Sequence, residues 1–283
     1  MFSIVIPTFN NLKYLKICIE SINKNSSHNH EIIVHSNDGS DGTNDYLKNN
    51  SIKFTFSEKN IGLCTSINKA VKLSSTNYIL YCHDDMYFCP NWDDVLINEI
   101  NKISHENFYL GGTMIQPSGS HISLNCGNSI ENFNEKKLLE NYKNYNFFNH
   151  QGTHFAPHLV TKSMWNKVGG FSEEFNPGIT SDPDFNMKLW IEGVRIFKGI
   201  NNCKVYHFSS ITTRKKENFK QNRGEQTFLL KWGISSKFFK KHYLRSKTKY
   251  ISPLNEPIKN LSYFFELIIC KIKIFYLFLL KKN

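Results

Sequence analysis

Over the first hundred positions, short apolar runs alternate with stretches in which apolar residues recur every three or four positions. Ile4-Val5-Ile6 is followed by Leu12, Leu15, Ile19 and Ile22, a spacing that predicts a helix with one buried face. The alternation continues with Ile32-Ile33-Val34, a segment opening at Ser40-Asp41-Gly42, and Phe54-Thr55-Phe56. A helix carrying Cys64, Ile67 and Val71 comes next, followed by the run Tyr78-Ile79-Leu80-Tyr81-Cys82. Repeated β-α-β units with wholly apolar strands predict an α/β protein. The expected architecture is a Rossmann-like α/β/α sandwich, with a mostly parallel central sheet covered on both faces.

Further along, the pattern predicts a strand over 108–116, a helix near 162–168, a turn at Gly169-Gly170 and a helix over about 183–192. Two short strands are expected near 194–197 and 204–208. Residues 117–153, rich in Asn, Ser, Gly and Tyr, read as a long irregular segment of the kind that forms substrate-facing lids. No internal repeat is visible. Parallel sheets bind ligands beyond the carboxyl ends of their strands. Attention therefore falls on the polar turns Pro7-Thr8-Phe9-Asn10, Ser36-Asn37-Asp38-Gly39-Ser40 and His83-Asp84-Asp85-Met86.

The chain of 283 residues is 40% hydrophobic and 14% aromatic, which excludes a disordered segment or a disulfide-stapled miniprotein and suits one large domain with an appendage. Its formal charge of +11, from 35 Lys/Arg and 24 Asp/Glu, at first suggests a nucleic-acid binder. Position changes that meaning: residues 1–213 hold 18 basic and 20 acidic residues (−2), whereas 214–283 hold 17 and 4 (+13). The seven cysteines are scattered without a CxxC pair, which predicts buried free thiols in a reducing compartment. Met1 is followed at once by an apolar run with no basic segment ahead of it. No secretory signal is visible there, and a cytoplasmic location is expected.

The strongest candidate chemistry is Asp84-Asp85 directly after an apolar run. Adjacent carboxylates repel each other unless a cation or donors compensate them, and hard ions such as Mg²⁺ and Mn²⁺ take oxygen ligands. The competing reading is a solvated loop in which Asp85 caps a turn. Asp182 and Asp184 flank Pro183 at a predicted helix start, where capping and the helix dipole favour acids. A carboxylate there that faces a cleft could instead take a proton from a hydroxyl nucleophile. His207, after Cys203-Lys204-Val205-Tyr206, is either a structural histidine or a third metal ligand. The chain contains neither GxxxxGK[ST] nor GxGxxG, so ATPase and dinucleotide-dehydrogenase readings lose their support.

Taken in order, these segments resemble glycosyltransferase family 2, whose members have the GT-A fold. Ser3-Ile4-Val5-Ile6-Pro7-Thr8-Phe9-Asn10 looks like the family's first strand and nucleotide loop, and the stretch from Glu31 to Thr43 like its second strand and acidic turn. Asn60-Ile61-Gly62-Leu63 with Asn68-Lys69-Ala70 is similar to the helix before the metal motif. His83-Asp84-Asp85 stands in the DxD-type place, Val168-Gly169-Gly170-Phe171-Ser172-Glu173 at the acceptor-side turn, and Ser181-Asp182 at the acidic pair. The resemblance implies that Pro7, Thr8 and Asn10, with Asn37 or Asp38, hold the nucleotide. It also implies that Asp84 touches the ribose or the ion's water shell, and that Asp85 and His207 serve a divalent ion, Mn²⁺ or Mg²⁺. Asp182 would deprotonate the acceptor in an inverting transfer from a nucleotide-sugar donor, a UDP-sugar, to a glycan or lipid-linked glycan. One rival, a nucleotidyltransferase, predicts a Gly/Lys-rich triphosphate loop that Pro7-Thr8-Phe9-Asn10 does not supply. The other is a membrane-attached scaffold that keeps the fold without turnover.

Beyond residue 213, Arg214-Lys215-Lys216, Lys240-Lys241, Arg245, Lys247 and Lys249 interleave with aromatics. Residues 261–280 hold 16 apolar positions interrupted by Ser262, Glu266, Lys271 and Lys273. Three interior charges argue against a spanning helix and for an interfacial one ending at Lys281 and Lys282. The division expected is a GT-A-like domain over 1–213 and a basic, helical extension over 214–283. That extension would dock peripherally on an anionic membrane, pack as an ordinary C-terminal helix, or meet a second subunit in a homo-oligomer. No RNA or DNA module surrounds the tail, which disfavours nucleic acid.

Overall fold

The computed structural model describes residues 1–145, 147–208 and 223–280. Strands β1 (Ser3–Phe9), β2 (Glu31–Asn37), β3 (Lys53–Ser57) and β4 (Tyr78–Tyr81) stand where the apolar runs place them. They are joined by helices α1 (Leu12–Asn25), α2 (Thr43–Asn49) and α3 (Leu63–Val71). Ile4, Val5 and Ile6 are completely buried. Helices cover both faces of β1, so its consecutive central positions, rather than alternate ones, are apolar. β1 pairs in parallel with β2 and β4, in the order β3-β2-β1-β4. Helix α1 turns Leu15, Cys18, Ile19 and Ile22 onto the sheet, the stripe its spacing predicts.

The second half departs from the βαβ pattern. It contains β5 (Met86–Phe88), α4 (Trp92–Ile100), β6 (Phe108–Gln116), β9 (His158–Thr161), α6 (Lys162–Val168), α7 (Ser181–Ile191) and β10 (Ile196–His207). The sheet continues β4-β9-β6-β10-β5. β9 runs antiparallel to both β4 and β6, and β5 antiparallel to β10, so a mostly parallel sheet acquires antiparallel members. Four and three residues are too few to leave a periodic signature. The two short strands expected near 194–197 and 204–208 are one strand, β10. The polar Asn201-Asn202 pair suggests a break, but the chain absorbs it in an irregularity between Gly199 and Lys204 while β10 stays paired with β6.

Residues 117–153 are more structured than their composition suggests. They form β7 (Ile122–Ser123), the 3-10 turn Ile130–Asn132, α5 (Glu135–Asn141) and β8 (His150–Gln151). Ile122, Leu124, Leu138 and Tyr142 build a second apolar cluster with Tyr87, Ile115, Tyr206 and Phe208.

After the undescribed residues come α8 (Gly224–Trp232), α9 (Ser236–Phe238) running into a π-helical turn (Phe239–Tyr243), and α10 (Leu261–Leu280). Phe228, Phe238, Phe239, Leu244, Leu254 and Tyr263 are buried in the same apolar cluster as the sheet. Residues 223–280 therefore share the core of the body. Arg214-Lys215-Lys216, the division between 213 and 214, and Lys281-Lys282 lie outside the described residues. A shared core makes a measurable prediction: Phe239→Ala costs about 3–5 kcal/mol and shifts the single urea transition of the whole protein. An appendage folding on its own would leave the main transition in place.

Candidate active site at the carboxyl ends of the strands

Pro7 and Thr8 are buried at the end of β1, and the Thr8 hydroxyl donates to Asp84 Oδ2 at 2.6 Å. Asn37, the last residue of β2, is buried and fully engaged. Its amide donates to the Thr8 carbonyl (3.1 Å) and Ser66 Oγ (3.0 Å), and its Oδ1 accepts from the Ile61 N–H (3.0 Å) and Ser57 Oγ (3.2 Å). That side chain ties β1, β3 and α3 together. Asp38 instead turns out of the strand with φ 66°, and Asn10, with φ 45°, donates to Asp38 Oδ2 at 2.9 Å. Both lie half-buried at the rim, in the left-handed backbone that Asn and Asp tolerate best.

The turn after β4 buries Asp84 and Asp85. Burial and the neighbouring Asp85 hold the Asp84 carboxyl well above the usual carboxylate range, against the Thr8 and Asn11 hydrogen bonds. Pairing of β5 with β10 sets His207 opposite Met86 and so brings it beside the turn. His207 Nε2 lies 3.2 Å and His83 Nδ1 3.9 Å from Asp85 Oδ1, and one ligand atom from each of the three falls within 4.8 Å of the others. Gln116, at the end of β6, meets His207 Nδ1 at 2.7 Å.

The group suits a divalent cation on its own chemistry. His207 Nε2 is buried and makes no hydrogen bond. Burial pushes His83 down to about 4, so its imidazole is neutral at pH 7 with a lone pair to offer. The Gln116 amide nitrogen donates to His207 Nδ1 and so fixes the orientation of the imidazole beside Asp85. Asp85 is the carboxylate of the group.

Asp182 lies in the first turn of α7. The residue before the helix, Thr180, has φ 68°, an uncommon and strained conformation for a β-branched residue, and gives no side-chain cap. The C-terminal segment braces this corner. Thr180 Oγ1 donates to Glu225 at 3.1 Å, and Gly224 passes so close to Ile179 that a Cβ there would collide with its carbonyl. Asp184 accounts for the structural half of the acidic pair, accepting from Ser172 Oγ (2.6 Å), Trp232 Nε1 (2.9 Å) and Lys231 Nζ (2.9 Å). Asp182 Oδ1 is buried with no hydrogen-bond partner, and burial alone raises the carboxyl to about 7. Helix capping therefore explains neither acid. Tyr81 connects the two regions. Its ring lies 5.5 Å from that of His83, and its hydroxyl is held up first by burial and then by Asp182.

The tertiary structure thus joins His83, Asp85 and His207 in one cluster and sets Asp84 against Thr8. It pairs Asn10 with Asp38, commits Asn37 to the scaffold and leaves Asp182 unpartnered. Gln116, Tyr81 and Glu225 escape sequence reading. Gln116 does end a predicted strand, which is the one signal that marks it.

The profile of glycosyl transferase family 2 matches residues 3–160. An uncharacterized glycosyltransferase of Rickettsia prowazekii is 27% identical over 253 residues, covering 87% of this chain and 75% of that protein. The chondroitin synthase of Escherichia coli is 26% identical over 231 residues, 78% of this chain; the chain spans only 31% of that protein. Among solved structures, S. aureus TarS 1-349 in complex with UDP-GlcNAc superposes with a TM-score of 0.54 at 17% identity, over 74% of this chain and 60% of that one. GalNAc-T7 with UDP, GalNAc and Mn²⁺ gives 0.55 at 14%, over 73% and 43%. The structural likenesses speak for the GT-A fold. Because that match spans more than half of the chain, from β1 through the acidic turn to β9, the chain belongs to glycosyl transferase family 2.

Proposed function

We propose that the protein transfers a sugar, with inversion, from a UDP-sugar to a hydroxyl of a glycan or lipid-linked glycan. A divalent cation, Mn²⁺ or Mg²⁺, would be held by Asp85 and His207 with His83. The observation that carries this reading is the presence of two carboxylates in opposite environments, Asp85 among imidazoles after β4 and Asp182 with its Oδ1 buried and unpartnered in the first turn of α7.

Asn10 and Asp38 take the nucleoside. Asp38 is preferred to Asn37 because every polar atom of the Asn37 side chain is already committed. Thr8 fixes the rotamer of Asp84, which faces the ribose. When bound, the cation offsets the charge of the departing diphosphate. Asp182 accepts the acceptor's hydroxyl proton as that oxygen bonds to the anomeric carbon and the sugar–phosphate bond breaks on the opposite face. A carboxyl near 7 is well matched to such a base, because about half of it is ionised at neutral pH and the ionised form is strong enough to take the proton. The likeness to TarS in complex with UDP-GlcNAc, to GalNAc-T7 with UDP, GalNAc and Mn²⁺, and to a chondroitin synthase supports the donor and acceptor classes.

A thermal-shift screen of UDP-sugars with and without Mn²⁺ tests the reading. The matching donor at a hundred times its Kd adds about 2.7 kcal/mol of stability, and only with the ion present. The kcat should climb as pH rises through about 7 and level off above it, as ionised Asp182 accumulates. Absence of a Tm rise with every nucleotide sugar tried would remove the enzyme reading in favour of the scaffold.

A further inference from the structure

Helix α10 is apolar on two opposite sides. Its inner face seats Tyr263, Leu267, Cys270, Ile274 and Leu277 on the body. Tyr263 packs against Phe238 with ring centroids 4.9 Å apart, and Glu266 is held by Lys241 and by His242 at 3.1 Å. Its outer face carries Phe265, Ile268, Ile272, Phe275, Tyr276 and Leu279, each between 48% and 66% exposed. On the helical wheel Lys271 and Lys273 fall on the two sides of this outer stripe, where long amphipathic side chains reach polar surroundings while their stems cover apolar surface. Single exposed apolar residues are ordinary, but a continuous aromatic and aliphatic stripe along a helix of about 30 Å is an interaction surface.

We infer that this stripe lies in the surface of an anionic lipid bilayer, with the helix parallel to the membrane plane. Charge selects the occupant. Residues 223–280 hold 11 Lys/Arg against 3 Asp/Glu, +8 in all, so pairing two copies through the stripe would bring two strongly positive segments together. An acidic headgroup layer complements that charge while its acyl boundary takes the aromatic stripe. The orientation follows from the inner face, since burial of Tyr263 and Cys270 fastens the helix lengthwise to the body. No helix among the described residues is long and apolar enough to cross a membrane. The inference does not depend on the catalytic assignment.

The test is co-sedimentation of the full chain with phosphatidylcholine vesicles and with vesicles of phosphatidylcholine and phosphatidylglycerol. The unmodified protein should pellet with the anionic vesicles at low salt, and much less with the neutral ones or at high salt. The triple variant Phe265→Ser, Ile272→Ser, Phe275→Ser should lower partitioning about tenfold or more. It should keep the wild-type Tm and circular dichroism, because only exposed positions change. Double replacement Lys271→Glu, Lys273→Glu should lower binding to the anionic vesicles alone. Three results would each overturn the inference: wild-type protein that stays in the supernatant with every vesicle, a folded triple variant that binds like the wild type, or a lipid-free dimer in sedimentation velocity that the triple variant abolishes.

Discussion

Replacing Asp182 with Asn should lower sugar transfer by about 10²- to 10⁴-fold while leaving the donor-induced rise in Tm unchanged. The two halves of this expectation have separate structural grounds. Asn keeps the shape of the side chain in the first turn of α7 but cannot accept a proton from a hydroxyl. Donor binding is assigned to groups on β1, β2 and the turn after β4, none of which hydrogen-bonds to Asp182. The substitution also has a stability signature whose sign is fixed by the shift. The Asp182 carboxyl is raised to about 7 in the folded protein, against about 3.9 in an unfolded chain. Its contribution to stability is full below pH 4 and is lost as pH rises through about 7. Asn is spared that loss, so the urea midpoint of the variant should gain on that of the wild type between pH 5 and pH 8. A variant that loses transfer and donor binding together would show that Asp182 supports the fold of the site rather than the proton transfer.

Asp85→Asn should abolish the Mn²⁺-dependent part of the donor-induced Tm rise and lower transfer by at least about 100-fold. Asp85 is the one carboxylate in the group with His83 and His207, and both imidazoles are oriented on its Oδ1. Neutralising it leaves two nitrogen ligands and little charge with which to hold a hard cation. The protein should still fold, because the exchange removes one of two adjacent buried acids and keeps the shape of the side chain. Gln116→Leu is a graded companion. It removes the amide donor that orients the His207 ring and should weaken Mn²⁺ binding by roughly 10- to 100-fold without removing a ligand. Wild-type metal dependence in Asp85→Asn would move the cation elsewhere.

Between them these experiments divide the site along its structural seam. The proposed nucleotide and metal side is built on the first four strands and the turn after β4. The proposed acceptor side is built on α7, and that helix is held from behind by the C-terminal segment through Trp232, Lys231 and Glu225. The tail that accounts for the protein's basicity therefore also braces the corner carrying Asp182. Substitutions in α8 are expected to affect kcat through that corner.

Much of the site was legible one residue at a time. The apolar runs marked the strands, strand ends marked the turns, and the turns contained Asn10, Asp38, Asp84 and Asp85. Asp182 was visible as one acid of a pair around Pro183, but its role was not, because a helix N-terminus accounts for acids equally well. Only the partners distinguish the two: Asp184 has three and Asp182 Oδ1 has none. His207 was one histidine among eleven until the register of β5 against β10 set it beside Asp85. Asn37 and Asp38, equivalent candidates as adjacent letters, separate because one faces inward to tie three elements and the other turns outward.

By itself the sequence determined the α/β class, the order of the first four strands' helices and turns, the family likeness and the uneven distribution of charge. Each of these is set by neighbours a few residues apart, where helix and strand periods and turn chemistry act. Only the tertiary structure decided the antiparallel strands β5 and β9, the His83-Asp85-His207 cluster, the isolation of Asp182, and the two-sided docking of α10. Those depend on pairings between residues far apart in the chain, and on desolvation, which is a property of the packed interior and of no local stretch of residues.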